Sequence, residues 1–170
     1  MMRRAGFTIV ELAITITIMA ILVTLSVVNL NGTQANARDE ERKTDIGNII
    51  LYLEGIYTSG TPNNPDYRGS YPPTSAASST ANIESWFSTL DKKSLQAPGT
   101  SETSYSLVPA TSTTQTTAGV LPQPTTNTYV YQPITTSGAL CAATGDCRKF
   151  NLFYRLEVDN SVHMITSKHQ

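Results

Sequence analysis

Charge is scarce in this sequence. Only 15% of its 170 residues are Asp, Glu, Lys or Arg, against about 25% in an ordinary soluble domain. Neither sign dominates, since 12 basic residues face 13 acidic ones and the formal charge is −1. The whole chain therefore lacks the basic surplus that draws proteins to nucleic acid or to anionic membrane surfaces. Cysteine and histidine number two each. Two cysteines cannot build a four-ligand zinc site or a multi-disulfide scaffold, so no metal site and no cofactor is expected. Asp146, Asp159 and Asn160 are too thin a set for a calcium loop. Catalytic constellations are missing as well. There is no Gly-x-Ser-x-Gly, no glycine-rich phosphate loop and no histidine with a nucleophile to serve. The chain reads as a non-enzyme with no catalytic residue.

What is present is one apolar block. Phe7 to Leu30 reads FTIVELAITITIMAILVTLSVVNL, 24 residues with a single charge at Glu11. At about 1.5 Å per residue a helix of that length covers roughly 36 Å, enough to cross a bilayer. The run is apolar on every side, unlike the stripe of a soluble helix. Arg3 and Arg4 are the only charges ahead of it. The positive-inside rule then keeps the N-terminus cytoplasmic and exports the chain beyond Leu30. A rival reading is a secretory signal cut after Ala37, at Ala35-Asn36-Ala37. Against it, the apolar region is about twice the usual 7–15 residues, it holds a carboxylate, and the sequence past Ala37 continues as helix. Another rival is a single-pass, membrane-tethered binding or sensory domain.

Glu11 is the informative residue. An ionisable group in a span costs about 2.5–3.5 kcal/mol on insertion scales and is a functional hypothesis by default. Position alone equally allows it to snorkel near the helix start, helped by the positive end of the dipole. Its neighbours decide. Gly6-Phe7-Thr8-Ile9-Val10-Glu11 resembles the processing site of type IV pilins and of the related type II secretion and competence pseudopilins. That pattern is a short basic leader, a glycine, a phenylalanine, and glutamate as the fifth mature residue. Arg3 and Arg4 match the leader, Gly6 the residue before the cut, Phe7 the new N-terminus and Glu11 the fifth residue.

The resemblance implies a mechanism. A membrane prepilin peptidase cuts after Gly6 and N-methylates Phe7. Subunits wait in membrane lipid, and an assembly platform then moves them into a helical filament of copies of this chain and other pilins. There the Glu11 carboxylate pairs with the amino group of a neighbour's Phe7, which fixes axial register. The implied location is a single-pass membrane precursor, then an extracellular filament. The alternative within the class is a pseudopilin of a secretion or DNA-uptake system. Val27 to Gly32 also resembles the family's stem, although Ala20 and Val28 stand where many relatives carry glycine and proline.

The helix is expected to run on to about Thr58. Arg38 to Lys43 mixes signs, with Asp39–Lys43 as a favourable i, i+4 pair, and reads as a solvated charged turn. Ile46, Ile49, Ile50, Leu53 and Tyr57 then mark one apolar face that needs a partner. Ser59 to Thr80 is rich in Gly, Pro, Asn and Ser and reads as loop. Ile83, Trp86, Phe87 and Leu90 predict a short helix with Asn82 as its N-cap and Trp86 in the core. Gln96 to Gly138 is poor in charge and rich in Thr, a composition that buries little apolar surface and predicts exposed loop with short strands. Thr128 to Gln132 reads as a strand. Phe150, Leu152, Tyr154, Leu156 and Val158 form one face of a second, with a turn at Asp159-Asn160 and a return strand over Ser161 to Ile165. Cys141 and Cys147 fall in the exported part, where a disulfide persists.

The expected fold is α+β: a long N-terminal helix, apolar in its first half and amphipathic in its second, packed on a C-terminal antiparallel sheet. The expected divisions are a leader over 1–6, a membrane or filament-core helix over 7–30, an amphipathic helix over 31–58 and a head over 59–170. An exposed head loop could also touch DNA or a surface ligand.

Overall fold

The computed structural model describes residues 6–61, 67–100, 104–142 and 146–169, with 27–31 described by backbone only. Helix α1 runs unbroken over Ile9–Ser59. A 3-10 turn at Thr74–Ala77 leads to helix α2, Thr80–Trp86. Four strands come next: β1 Leu107–Pro109, β2 Tyr129–Ile134, β3 Lys149–Arg155 and β4 Val162–Thr166. They form one sheet in the order β1-β2-β3-β4. The β2–β3 and β3–β4 pairs are antiparallel, as expected, but β1 lies parallel to β2. The chain divides into two compact units, Met1–Ala37 and Arg38–Gln170.

In the second unit the apolar face of α1 finds its partner. Ile46, Ile49 and Leu53 are buried with Tyr129, Tyr131, Phe150, Leu152 and Tyr154 in one core cluster. Ile50 and Tyr57 pack at its margin. Three buried tyrosine hydroxyls hold partners from other elements. Tyr131 Oη donates to the Pro72 carbonyl at 2.7 Å, Tyr71 Oη to Glu54 at 3.0 Å and Tyr129 Oη to Asp45 at 3.3 Å. Among the described residues no buried side-chain nitrogen or oxygen lacks a partner. Val158, expected on the Phe150 face, is instead 57% exposed. Strand β3 ends at Arg155, so the alternation no longer governs it.

Helix α2 starts earlier than its sequence suggests. Ser79, in extended conformation, is the N-cap, and its Oγ accepts from the Asn82 N–H at 3.2 Å. Asn82 lies inside the helix and its amide donates to the Ser75 carbonyl at 2.8 Å. Ile83 and Phe87 are buried, while Trp86 and Leu90 lean on the core from its edge. The Cys141–Cys147 disulfide forms, with a Cα–Cα distance of 5.4 Å. The carbonyls of the two cysteines accept from Thr74 N–H at 2.9 Å and Tyr71 N–H at 2.8 Å. The bridge therefore fastens the C-terminal loop to the segment that precedes α2.

Two regions differ from expectation. The first is the Thr-rich segment, which covers the second face of the sheet. Val120 and Ala110 are buried there against Val130 and Phe153. Glutamines hold the segment alongside this small apolar cluster. Gln132, fully buried, donates to the carbonyls of Ser112 at 2.7 Å and Thr114 at 3.1 Å, and accepts from Asn151 at 2.9 Å. Gln123 donates to the Val120 carbonyl at 2.8 Å.

The second is the charge run, in which Asp39 and Arg42 are buried while Glu40 and Lys43 stay exposed. Asp39 is 4% exposed and Arg42 1%. Asp39 accepts from Arg42 at 2.7 Å and from the N–H groups of Glu157 at 2.8 Å and Val158 at 3.0 Å. Arg42 also donates to the Thr126 carbonyl at 3.0 Å. Arg38 grips Glu157 with two bonds of 2.8 and 2.6 Å. Lys43 pairs with Glu40, not with Asp39. The physical reason is that Asp39 lies opposite the open backbone of the β3–β4 turn, whose N–H groups need an acceptor once water is excluded.

Two acids on this unit titrate in opposite senses. The Arg38 hydrogen bonds pull the Glu157 carboxyl down to about 2. Burial pushes Asp45 up to about 6, against the opposing hydrogen bond from Tyr129. Glu157 contributes stability that is present above its ordinary pKa and is lost as pH falls toward 2. Asp45 acts the other way: it favours the fold below its ordinary pKa, and that contribution is lost as pH rises through 6. Stability is expected to peak near pH 4–5. Asp45→Asn, which removes the charge and keeps an oxygen for Tyr129, is expected to stabilise the protein at pH 7.5 by on the order of 2 kcal/mol. Urea denaturation of both chains between pH 3 and 8 checks this; an unchanged pH profile in the variant would contradict it.

Candidate functional site

In the first unit Gly6, Phe7 and Thr8 precede the helix, and all three are exposed. Phe7 is 86% exposed. The Gly6–Phe7 peptide is thus open and non-helical. A Cβ built on Gly6 would meet nothing within 4 Å. Arg3 and Arg4 lie outside the described residues.

Glu11 occupies the first turn of α1. Its Oε2 accepts from Thr8 N–H and from Thr8 Oγ1, both at 2.9 Å. In return Thr8 Oγ1 accepts from Glu11 N–H at 3.2 Å. This is a capping box: Thr8 is the N-cap and Glu11 the third helical residue, each satisfying an orphan donor of the other. The sequence carries the signal, Thr-x-x-Glu ahead of an apolar run, but the family resemblance gives Glu11 only a partner in another subunit. A carboxylate here also faces the positive end of the helix dipole.

Ile9–Ser26 is long and apolar enough to cross a membrane, and none of it is buried within the protein. Its four hydroxyls are internally satisfied. Thr15, Thr17, Thr24 and Ser26 donate to the carbonyls of Leu12, Ala13, Ile21 and Leu22, each at 2.8 Å. Back-bonding of this kind lets Ser and Thr sit in hydrocarbon without an orphan donor. Glu11 is left as the only charged side chain on the span. The helix continues through Ala20, Val28 and Gly32 without interruption.

Among the described residues no three His, Cys, Asp or Glu side chains stand close enough to hold a metal. Asp159, the best single candidate, has its Oδ1 occupied by the N–H and hydroxyl of Ser161, at 2.9 and 2.7 Å.

The open Gly6–Phe7 bond, the capped glutamate and the exposed apolar helix all lie in one short N-terminal segment. Residues 1–27 match the family described as the prokaryotic N-terminal methylation motif. The match supports a precursor of the type IV pilin and pseudopilin family, and with the apolar helix it fits a membrane-anchored precursor. No curated protein and no solved structure matches the chain.

Replacing Thr8 by valine removes Oγ1 and with it two of the three hydrogen bonds of the box, and is expected to fray the first turn by about 1 kcal/mol. In detergent micelles the Glu11 amide should then exchange with solvent about fivefold faster. Unchanged exchange would show that the box does not hold the helix start.

Proposed function

We propose that this chain is a structural subunit of a type IV pilus-like extracellular filament and does no chemistry of its own. Prepilin peptidase cuts the precursor after Gly6 on the cytoplasmic side and N-methylates Phe7. The subunit waits in the bilayer with its head outside. An assembly platform then moves it into a filament built from copies of itself and other pilins.

The observation that carries this reading is the coincidence, in one short segment, of the matched methylation motif with an apolar helix that nothing in the chain covers. Gly6 supports it from another side. Among the described residues a Cβ there would meet nothing, which fits a need for glycine set by the peptidase, whose tight site must admit the bond. The capping box suggests how Glu11 is stored. Before assembly, Thr8 supplies two donors to the carboxylate. In the filament, the amino group of a neighbour's Phe7 supplies a full positive charge. An unpaired ion in a dry environment costs several kcal/mol, so the pair selects the axial register in which the two meet.

Mass spectrometry of the mature N-terminus is the direct test. The expected start is N-methyl-Phe7. A start at Arg38, or an intact Met1, overturns the proposal. The shear fraction should contain long filaments; correct processing without them reassigns the chain to a pseudopilus of a secretion or DNA-uptake system. Glu11→Ala should leave cleavage at Gly6 intact and abolish filaments, and normal filaments from that variant would remove the role given to Glu11.

A further inference from the structure

The two edges of the sheet differ. Strand β1 is three residues long and ends in Pro109, and shortness and proline both discourage a further strand. Strand β4, Val162–Thr166, has neither guard. It contains no proline and no lysine, and its register against β3 runs from Val162 to Thr166 without a bulge.

The direction of its backbone follows from its two ends. The Ser161 carbonyl accepts from the Leu156 N–H at 3.0 Å, and the Ser167 N–H donates to the Phe150 carbonyl at 2.9 Å. Both residues therefore turn toward β3. Backbone groups alternate in direction along an antiparallel strand, so Val162, Met164 and Thr166 aim N–H and C=O at the open side. Among the described residues nothing meets them there. Apolar side chains are uncovered on both faces of the same strand. Met164, opposite Phe153, is 37% exposed, and Ile165, opposite Leu152, is 36% exposed.

An added strand must satisfy these backbone groups, cover Met164 and Ile165, and match the ends of β4. The ends carry opposite charge: exposed Asp159 precedes the strand and exposed Lys168 follows it. Ser161 occupies only Oδ1 of Asp159, and Lys168 meets Glu54 through its backbone N–H, not its ammonium. A second β4 laid antiparallel puts Asp159 of each copy beside Lys168 of the other. A parallel copy would put like charges together. The alternation also restricts the register, because open residues must face open residues. The register that uses all of them sets Met164 against its own copy and Val162 against Thr166, with about six backbone hydrogen bonds at two per facing pair. His163 then lies across from Ile165, and the two methionines cover each other.

We propose that the β4 edge is a pairing surface for a second copy of this chain, joined antiparallel about a two-fold axis at Met164. Neighbours in a helical filament meet head to tail, whereas a two-fold pair closes on itself. The edge therefore joins copies that are not neighbours in a single filament. Pairing needs neither cleavage at Gly6 nor polymerisation, so it stands or falls separately from the filament reading. A five-residue edge is small beside the roughly 1,600 Å² of a standard interface, so the pair is short-lived and suits covalent trapping.

The test uses the unprocessed full chain in detergent micelles, with single added cysteines oxidised by copper phenanthroline and the links mapped by mass spectrometry. Met164→Cys should give a disulfide between the two copies of position 164, because facing hydrogen-bonded residues stand about 5.5 Å apart at Cα, within disulfide range. Thr166→Cys alone should link about tenfold more slowly, since its own copy lies about 14 Å away along the strand. An equal mixture of Val162→Cys and Thr166→Cys chains should link to each other. Adding Lys168→Asp to the Met164→Cys chain should slow linking about threefold at low salt, by setting acid against acid. These substitutions fall on exposed or half-buried side chains and should keep the parental Tm. Chains that merely share a micelle through their apolar helices would link without regard to position. Equal linking of Met164→Cys and Thr166→Cys, no linking of Met164→Cys, no link within the mixture, or no effect of Lys168→Asp overturns the proposal.

Discussion

A helix is one of the few backbone forms that can pass from hydrocarbon into a protein core, because it satisfies its own N–H and C=O groups. The architecture rests on that property of α1. Its Ile9–Ser26 stretch is uncovered by protein, while Ile46, Ile49 and Leu53 further along are fully buried. Side chains alone distinguish the two environments. In the apolar stretch each hydroxyl turns back on the helix, and Glu11 is the exception. The energies are comparable. Ten Ile, Leu and Val residues between Ile9 and Ser26 favour insertion by about 3–6 kcal/mol in total, at roughly 0.3–0.6 each. One carboxylate opposes it by an amount on the order of half that or more. A capping box at the very start of the helix lowers the penalty by keeping Glu11 near the interface with two donors. In the proposed filament the same carboxylate would gain a cation, so the residue that makes the span marginal in lipid would favour leaving it.

The scarcity of charge in the sequence takes on a different meaning beside the structure. Asp39, Arg42, Asp45 and Glu54 all lie on the buried side of α1. They do not add to solubility; they serve as acceptors and donors for backbone and hydroxyl groups that the sheet cannot satisfy. Asp39 holds the β3–β4 turn. Glu54 holds Tyr71 and the C-terminal segment at Lys168. Burying ions is stabilising only when their lone pairs find donors, and Asp39 has three. Asp45 has one among the described residues, the Tyr129 hydroxyl at 3.3 Å, and its raised pKa is the consequence.

The sequence disclosed the parts of this fold that depend on periodicity. The α1 stripe, the α2 apolar set, the β3–β4 hairpin and the α+β class emerge from the spacing of apolar residues and from turn chemistry. It misled where polar side chains replace apolar ones. Arg38 to Lys43 looks like a solvated turn because charge alone does not reveal which residues face the β3–β4 turn. The Thr-rich segment looks exposed because composition counts only apolar burial, whereas Gln132 and Gln123 pin it through carbonyls. Strand β1 spans Leu107–Pro109, too short to carry a period, so its parallel pairing was not legible. The capping box was legible at Thr8 and Glu11. It is eclipsed by the stronger reading of Glu11 as a residue meant for another subunit.

The family match is confined to residues 1–27, and physical demands explain that boundary. Within this segment the requirements come from outside the chain. Among the described residues a Cβ on Gly6 would meet nothing, Phe7 is exposed and no part of Ile9–Ser26 is buried, so apart from the Thr8–Glu11 cap packing within the protein specifies little here. A peptidase, a bilayer and a neighbour's amine would specify them narrowly. From Arg38 onward the requirements are internal. A head need only cover the apolar face of α1 and satisfy the groups it buries, and many sequences meet those terms. Here they are met by a disulfide, two glutamines and a buried arginine. The motif therefore supports a pilin- or pseudopilin-type precursor, while what distinguishes this chain must be sought on the surface of the head.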